Sequence, residues 1–427
     1  MEIIMFYKSK TNVSVLQLGL LRAGYYSSEV DGIFGSETQD ALNRLKSDYS
    51  IDENENDYSK ILNVLKPFLS GYTTHIVKSG DSFYSIAKMH NTDIDSIKYA
   101  NPYVKENNLI IGTKIIVPLG AYVTVTNLNY NSFLTECIIT GIAVRYPFIQ
   151  CVPIGKSVWG NMIYLLKIGA GDRQVFFNAE HHANEWITTP LVLKFIEDYA
   201  KVYLTGSGLA SQNALNLYNS VTLFAVAAVN PDGIDIVNDA ADPNMLKDVI
   251  SFSQNYPSIE FPSGWKANAN GVDLNLQYPA GWENAKKIKY SMGYTLPGPR
   301  DFVGQNPLEE PECRCVYDLT IQNQFVLTIS YHTQGAVIYW KFLDYNPENS
   351  RKIGVRLADA SGYELEDTPY SSGYAGYKDW FIQTYIRPGY TVEAGTGVNP
   401  LPIGDFDTLY AKNYPLMAQA LESAAEL

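Results

Sequence analysis

At 427 residues, 46% of them hydrophobic, the chain is long enough to bury one large core and one or two smaller ones, which excludes a disordered protein. Its formal net charge of -13 excludes a partner held by phosphate neutralisation, so no nucleic acid partner is expected. The 32 tyrosines suit surfaces that stack on sugars or peptides.

In the opening MEIIMFYKSK the apolar patch is much shorter than a secretory core and no basic residue precedes it; nothing later approaches a membrane span. The expectation is a cytoplasmic chain with no signal peptide and no membrane partner. Cys137, Cys151, Cys313 and Cys315 form no CxxC, and the last two are too close for an easy disulfide, so reduced structural thiols are expected.

VSVLQLGLLRAGYY places Leu16, Leu20 and Leu21 on one helical face, and EVDGIFG follows as a turn built on Asp31 and Gly32. In SETQDALNRLKSDY, Ser36 and Gln39 have capping-box spacing, and Ala41, Leu42 and Leu45 continue an apolar stripe. These patterns predict a small helical domain over residues 1–72. The next stretch runs from THIVKSGDSFYSIAKMHNTDIDSIKYANP to LIIGTKIIVPLG. Its two β-branched runs enclose helical patterns around residues 86–89 and 94–100, which predicts a βααβ domain over residues 73–120. His75 and His90 fall here and read as strand-start or surface residues rather than metal ligands.

From residue 121 to 427 the pattern changes again. QVFFNA, VTLFAVAAV, FVLTISY and YTVEA are short apolar runs, while TPLVLKFIEDYA and YPLMAQALESAAEL read as helices. An α/β domain with a mixed, mostly parallel sheet flanked by helices is predicted. In such sheets functional groups collect past the carboxyl ends of the strands. His182 and Glu185 follow the first run, the NPDG of residues 230–233 follows the second, His332 follows the third, and Glu393 lies in the fourth. A histidine and a glutamate three positions apart on a starting helix share a face. A distant histidine, His332, completes the two-His, one-Glu ligand set of an open catalytic zinc site. Alone, His182 and Glu185 would read better as a helix-start charge pair; their company with His332 and Glu393 favours the metal.

These residues carry three resemblances. LQxxLxxxGYY followed by VDGxFGxxTxxAL, over about residues 13–65, resembles the helical peptidoglycan-binding domain of bacterial wall hydrolases. HIVKSGDSFYSIA, the Asn101-Pro102 pair and LIIGTKIIVP resemble a LysM domain, which implies binding to N-acetylglucosamine-containing glycan. PIGKSVWGNMIY, HHANEW, VNPDG, WKANANGVDLN, SYHTQG, GYKDWF and YTVEAG, from residue 121 onward, resemble the M14 family of zinc carboxypeptidases.

The last resemblance implies one zinc held by His182, Glu185 and His332, and Glu393 as the catalytic glutamate. His181 falls where the family has no ligand and is taken as a structural neighbour. Lys266 stands at the family's oxyanion arginine. Asn275 stands at the asparagine that helps hold a substrate's terminal carboxylate, but the following arginine position is Leu276. Asp379, fourteen residues before Glu393, stands at the family's separation for the pocket floor. The mobile tyrosine falls on Tyr370 or Tyr374, of which Tyr370 is preferred. With the two wall modules, the implied protein resembles the γ-D-glutamyl-diamino acid endopeptidases, whose partners are peptidoglycan glycan and stem peptides. An ordinary metallocarboxypeptidase is weakened by Leu276 and the modules. A catalytically silent wall-binding protein is opposed by the intact ligand positions and Glu393.

Overall fold

In the computed structural model, which describes residues 9–52, 58–209 and 212–427, the chain divides into two compact units, one ending at Cys151 and the other Val152–Leu427. The stretch MEIIMFYK, on which the leader expectation rests, lies outside the described residues. The leucine spacing near the start winds into α1 (Lys10–Arg22), capped by the Ser9 hydroxyl. α2 (Ser36–Asp48) and α3 (Tyr58–Leu69) follow. Leu16 and Leu20 are buried, whereas Leu21, a third of a turn further round, is 39% exposed. The capping box predicted at Ser36 does not form: Gly35 is the N-cap and Ser36 begins the helix. Gly19 lets α1 approach α3 closely, since an added methyl group would lie 3.0 Å from Leu65 Cδ1. Buried Gln17 ties down the Asp31-Gly32 turn, donating to Asp31 Oδ1 at 2.8 Å and accepting from Gly32 N at 2.9 Å.

The predicted βααβ unit is present. β1 (Tyr72–Ile76) pairs antiparallel with β2 (Lys114–Pro118), with α4 (Phe83–Met89) and α5 (Ile94–Ala100) between them. Phe83, Ile86, Ile97, Ile115 and Val117 form its core. His75 Nδ1 lies 3.2 Å from His90 Nε2 and His75 Nε2 lies 2.8 Å from Asp81 Oδ2, so both rings lock strand to helix. Buried Asn101 bridges the end of α5 to β2, donating to Ile97 O and Ile116 O at 2.7 Å each and accepting from Ile116 N at 2.9 Å. Asn101→Ala removes the side-chain partner of these three backbone groups and is expected to cost about 2 kcal/mol, checked by chemical unfolding of the full chain. Past the residue 120 boundary, α6 (Ser132–Arg145) stays with this unit because Arg145 donates to Leu119 O and Gly120 O and Glu136 pairs with Lys66.

The second unit is built on an eight-stranded sheet. Its strands are β3 (Gln150–Lys156), β4 (Met162–Ile168), β5 (Arg173–Ala179), β6 (Val221–Val226), β7 (Phe325–His332), β8 (Val337–Tyr339), β9 (Glu364–Glu366) and β10 (Gly389–Glu393). Their order is β9-β8-β10-β7-β5-β6-β4-β3. β10, β7, β5 and β6 run parallel to one another, while β8 meets β10 and β4 meets β6 antiparallel. The sheet is mixed and parallel at its centre, as predicted. Alternate residues of β5 serve opposite faces. Phe177 meets Phe195 on α7 (Thr188–Thr205), and Phe176 meets Tyr377 on α8 (Tyr377–Tyr385). Covering both faces forces the central strands to be apolar runs, the pattern legible in QVFFNA and VTLFAV. Among the described residues no helix is long and apolar enough to cross a membrane.

Candidate active site

Past Ala179 the chain leaves β5 through Glu180, whose left-handed backbone (φ 61°) is held by Asn230 N donating to its carboxylate at 2.9 Å. His182 then caps the short turn Ala183–Glu185. Asn230, just beyond β6, donates to His181 O at 3.3 Å and Ala267 O at 3.2 Å, so it joins this turn to the segment carrying Lys266. His332 ends β7 and Glu393 ends β10, side by side in register. The crevice thus lies at the carboxyl ends of the parallel strands, where their connections diverge.

His182 Nδ1 is 3.0 Å from Glu185 Oε1 and 3.1 Å from His332 Nδ1, which is 2.9 Å from Glu185 Oε2. The donor atoms of these three buried residues all lie within 4.8 Å of one another. Asp273 Oδ1, 3.0 Å from His182 Nε2, fixes the proton on that nitrogen and leaves Nδ1 to ligate. Two imidazole nitrogens facing one carboxylate fit the donor set of an open catalytic zinc site. Burial works to lower the His182 pKa, but Glu185 and Asp273 outweigh it and raise it to about 9. A metal entering here displaces a proton.

Lys266 Nζ lies 2.9 Å from Glu185 Oε1, and its backbone accepts from Ala183 N at 3.1 Å, so the structure brings it to the same centre. Glu393 is half-buried beside His332. Burial raises its pKa above the usual carboxylate value, with Glu185 adding and His332 and Lys266 opposing. His181 is outside the donor set: its Nε2 lies 2.9 Å from the Tyr278 hydroxyl and its ring stacks on His332 at 6.0 Å. Trp186, as a buried packing residue, is 2% exposed.

The remaining predicted residues surround this centre unevenly. Asn275 sits on the turn Leu274–Leu276, capped by Asp273, and its Oδ1 accepts from Tyr377 N at 3.1 Å. Asp379 is buried on α8 with its carboxylate engaged by Lys378. Lys378 Nζ also donates to Lys341 O at 2.8 Å and Thr368 Oγ1 at 3.0 Å. Lys341 and Thr368 border a cavity of about 180 Å³ that Tyr370 and Tyr374 also line. Tyr370 is 72% exposed at its lip, edge-on to Tyr374 at 5.8 Å. Leu276 packs in an apolar cluster with Trp282, Ala285, Val303 and Ala375.

Asp273 is the functional residue that the sequence pattern missed. Its signal was its place two residues before Asn275 in GVDLN, but an aspartate there reads as a turn cap, which it also is. Asp273→Asn keeps the cap while losing the anionic acceptor for His182. It is expected to weaken metal affinity or turnover by roughly 10- to 100-fold, checked by competition with a zinc chelator.

Residues 75–118 match the LysM domain and residues 9–53 a peptidoglycan binding domain. Over 284 residues the chain is 42% identical to gamma-D-glutamyl-L-diamino acid endopeptidase 1 of Lysinibacillus sphaericus, covering 66% of this chain and 69% of the relative. Over 296 residues it is 38% identical to the uncharacterized protein YqgT of Bacillus subtilis (strain 168), covering 68% and 77%. The fold is shared with carboxypeptidase A from Helicoverpa armigera, at a TM-score of 0.54 and 17% identity, covering 83% of this chain and 98% of that one. The donor set and the strand ends that carry it fall within residues 136–408, which match the zinc carboxypeptidase family, and by that match this chain belongs to it.

Proposed function

We propose that this protein binds one zinc through His182, Glu185 and His332 and hydrolyses the amide between the γ-carboxyl of D-glutamate and the diamino acid in peptidoglycan stem peptides. The observation that carries the reading is Leu276. The family's exopeptidases place an arginine there for a substrate's terminal carboxylate; here the side chain is apolar, 7% exposed and packed against Trp282 and Val303. A leaving residue whose carboxyl is already in peptide linkage meets no unpaired cation at that position. The activity for which the Lysinibacillus relative is named and the two wall-binding modules support the same reading. The modules hold the catalytic unit near glycan and raise the effective concentration of stem peptide.

Bound zinc supplies Lewis acidity, lowering the pKa of a water ligand and polarising the scissile carbonyl. Glu393 accepts the water's proton and delivers it to the leaving amine; its raised pKa suits a group that must take up and return a proton. Lys266 places positive charge where the carbonyl oxygen becomes anionic, as a point charge without arginine's fork. Asn275, its Oδ1 occupied by Tyr377 N, offers its amide N–H to the substrate. Tyr370 and the cavity beside Lys378 and Asp379 flank the substrate beyond the scissile bond.

Incubation with a defined stem tetrapeptide tests the reading. Mass spectrometry should show release of the peptide beginning with the diamino acid, lost with a chelator and regained with zinc. Release of the C-terminal residue alone would point instead to a carboxypeptidase. Leu276→Arg buries an unpaired guanidinium and is expected to cost roughly 3–5 kcal/mol of stability, against under about 1.5 kcal/mol for Leu276→Met. Denaturant unfolding of both variants checks this.

A further inference from the structure

We propose that Arg300 binds the free α-carboxylate that a γ-linked D-glutamyl residue presents beside the scissile bond, and so selects stems in which that carboxylate is free over those in which it is amidated. This deepens the function proposed above and rests on it.

Residues 299–301 are clipped between two parts of the active site. Pro299 O accepts from Lys266 N at 2.7 Å and from Ala267 N at 3.0 Å. Asp301 N donates to Asp273 Oδ2 at 3.2 Å, and Asp273 is the residue that holds His182. Arg300 therefore departs from the chain between the oxyanion lysine and the support of a metal ligand. Among the described residues its guanidinium is held by one hydrogen bond, Nε to Asp301 Oδ2 at 2.8 Å. The other oxygen of Asp301 is taken by Lys289 Nζ at 2.6 Å. Arg300 and Lys289 thus share the Asp301 carboxylate. Neither terminal nitrogen of Arg300 has a hydrogen-bond acceptor among the described residues, and the side chain is 42% exposed.

A planar fork with both terminal nitrogens open, anchored through Nε, is the geometry that takes a carboxylate bidentately. The substrate supplies one. When glutamate is linked through its γ-carboxyl, its α-carboxylate stays free two methylenes from the scissile carbonyl, whatever follows the diamino acid. A glutamyl residue amidated at that carboxyl presents no carboxylate there. With Lys266 at the carbonyl oxygen, the cation that branches from the adjoining strand of chain is Arg300. The carboxyl on the leaving diamino acid is the other anion near the bond, but in a tetrapeptide stem it is already in peptide linkage.

The test compares kcat/KM for wild type, Arg300→Gln and Arg300→Lys on three matched stem peptides: the parent tripeptide stem, one amidated at the glutamyl α-carboxyl, and one amidated at the diamino-acid carboxyl. Wild type should prefer the parent over the glutamyl amide by roughly 10- to 100-fold. Arg300→Gln should bring that ratio close to one, Arg300→Lys should restore part of it, and the ratio at the diamino-acid carboxyl should stay constant in all three proteins. Equal losses on every substrate would reduce Arg300 to a prop for Asp301 and overturn the proposal. So would a change confined to the diamino-acid ratio, or a wild type indifferent to glutamyl amidation. A wild type that cleaves none of the three would instead remove the γ-glutamyl reading on which the proposal rests.

Discussion

Replacing Glu393 with glutamine is expected to lower turnover of a stem peptide by roughly 10²- to 10⁴-fold while zinc content and unfolding stay as in wild type. Glu393 ends β10 beside His332 but is outside the donor set, and among the described residues its side chain makes no hydrogen bond. The substitution therefore removes no ligand and leaves no partner stranded. What disappears is a carboxylate that accepts a proton from water and returns it to the leaving amine, a shuttle an amide cannot perform. Single-turnover kinetics on a defined tetrapeptide, with metal analysis of the same preparation, separates this from metal loss. Near-normal turnover would take Glu393 out of the mechanism.

His332→Ala is expected to reduce bound zinc from one per chain to a small fraction and to abolish measurable turnover. His332 Nδ1 is the donor that closes the triangle with His182 and Glu185. Without it two protein ligands remain, and Lys266, already 2.9 Å from Glu185 Oε1, competes as the counter-charge. A two-ligand site of that kind does not retain zinc through dialysis. Metal analysis after dialysis checks this. Stoichiometric zinc in the variant would place the metal elsewhere.

Much of this site was legible in the sequence because of how a covered parallel sheet is built. Its central strands must be apolar on both faces, so the first polar residues after QVFFNA, VTLFAVAAV, FVLTISY and YTVEA mark the crevice. His182, Glu185, His332 and Glu393 were found that way, and His332 and Glu393 do stand side by side. Residues whose role depends on partners distant in sequence were not legible. Asp273 reads as a turn cap, and only the fold shows its second oxygen tied to Asp301 N and its first to His182 Nε2. Lys378 reads as a helix-start charge until Asp379 is seen to pair with it in a buried setting. Leu276 shows the limit from the other side: its identity revealed a missing cation, but only packing shows that its side chain is buried against Trp282 and Ala285. Small errors in the helical domain have local causes. Gly35 took the N-cap from Ser36, and Leu21 lies a third of a turn away from the stripe of Leu16 and Leu20.

The central claim is attack by metal-activated water on the γ-carbonyl of the glutamyl residue. Hydrolysis of a defined tetrapeptide stem in ¹⁸O-labelled water, followed by fragmentation of the products, tests it most directly. One labelled oxygen in the γ-carboxyl of the released glutamyl product, with none in the peptide that begins with the diamino acid, is the result predicted. Label in the carboxyl of any other residue would place the cut at a different bond and contradict it.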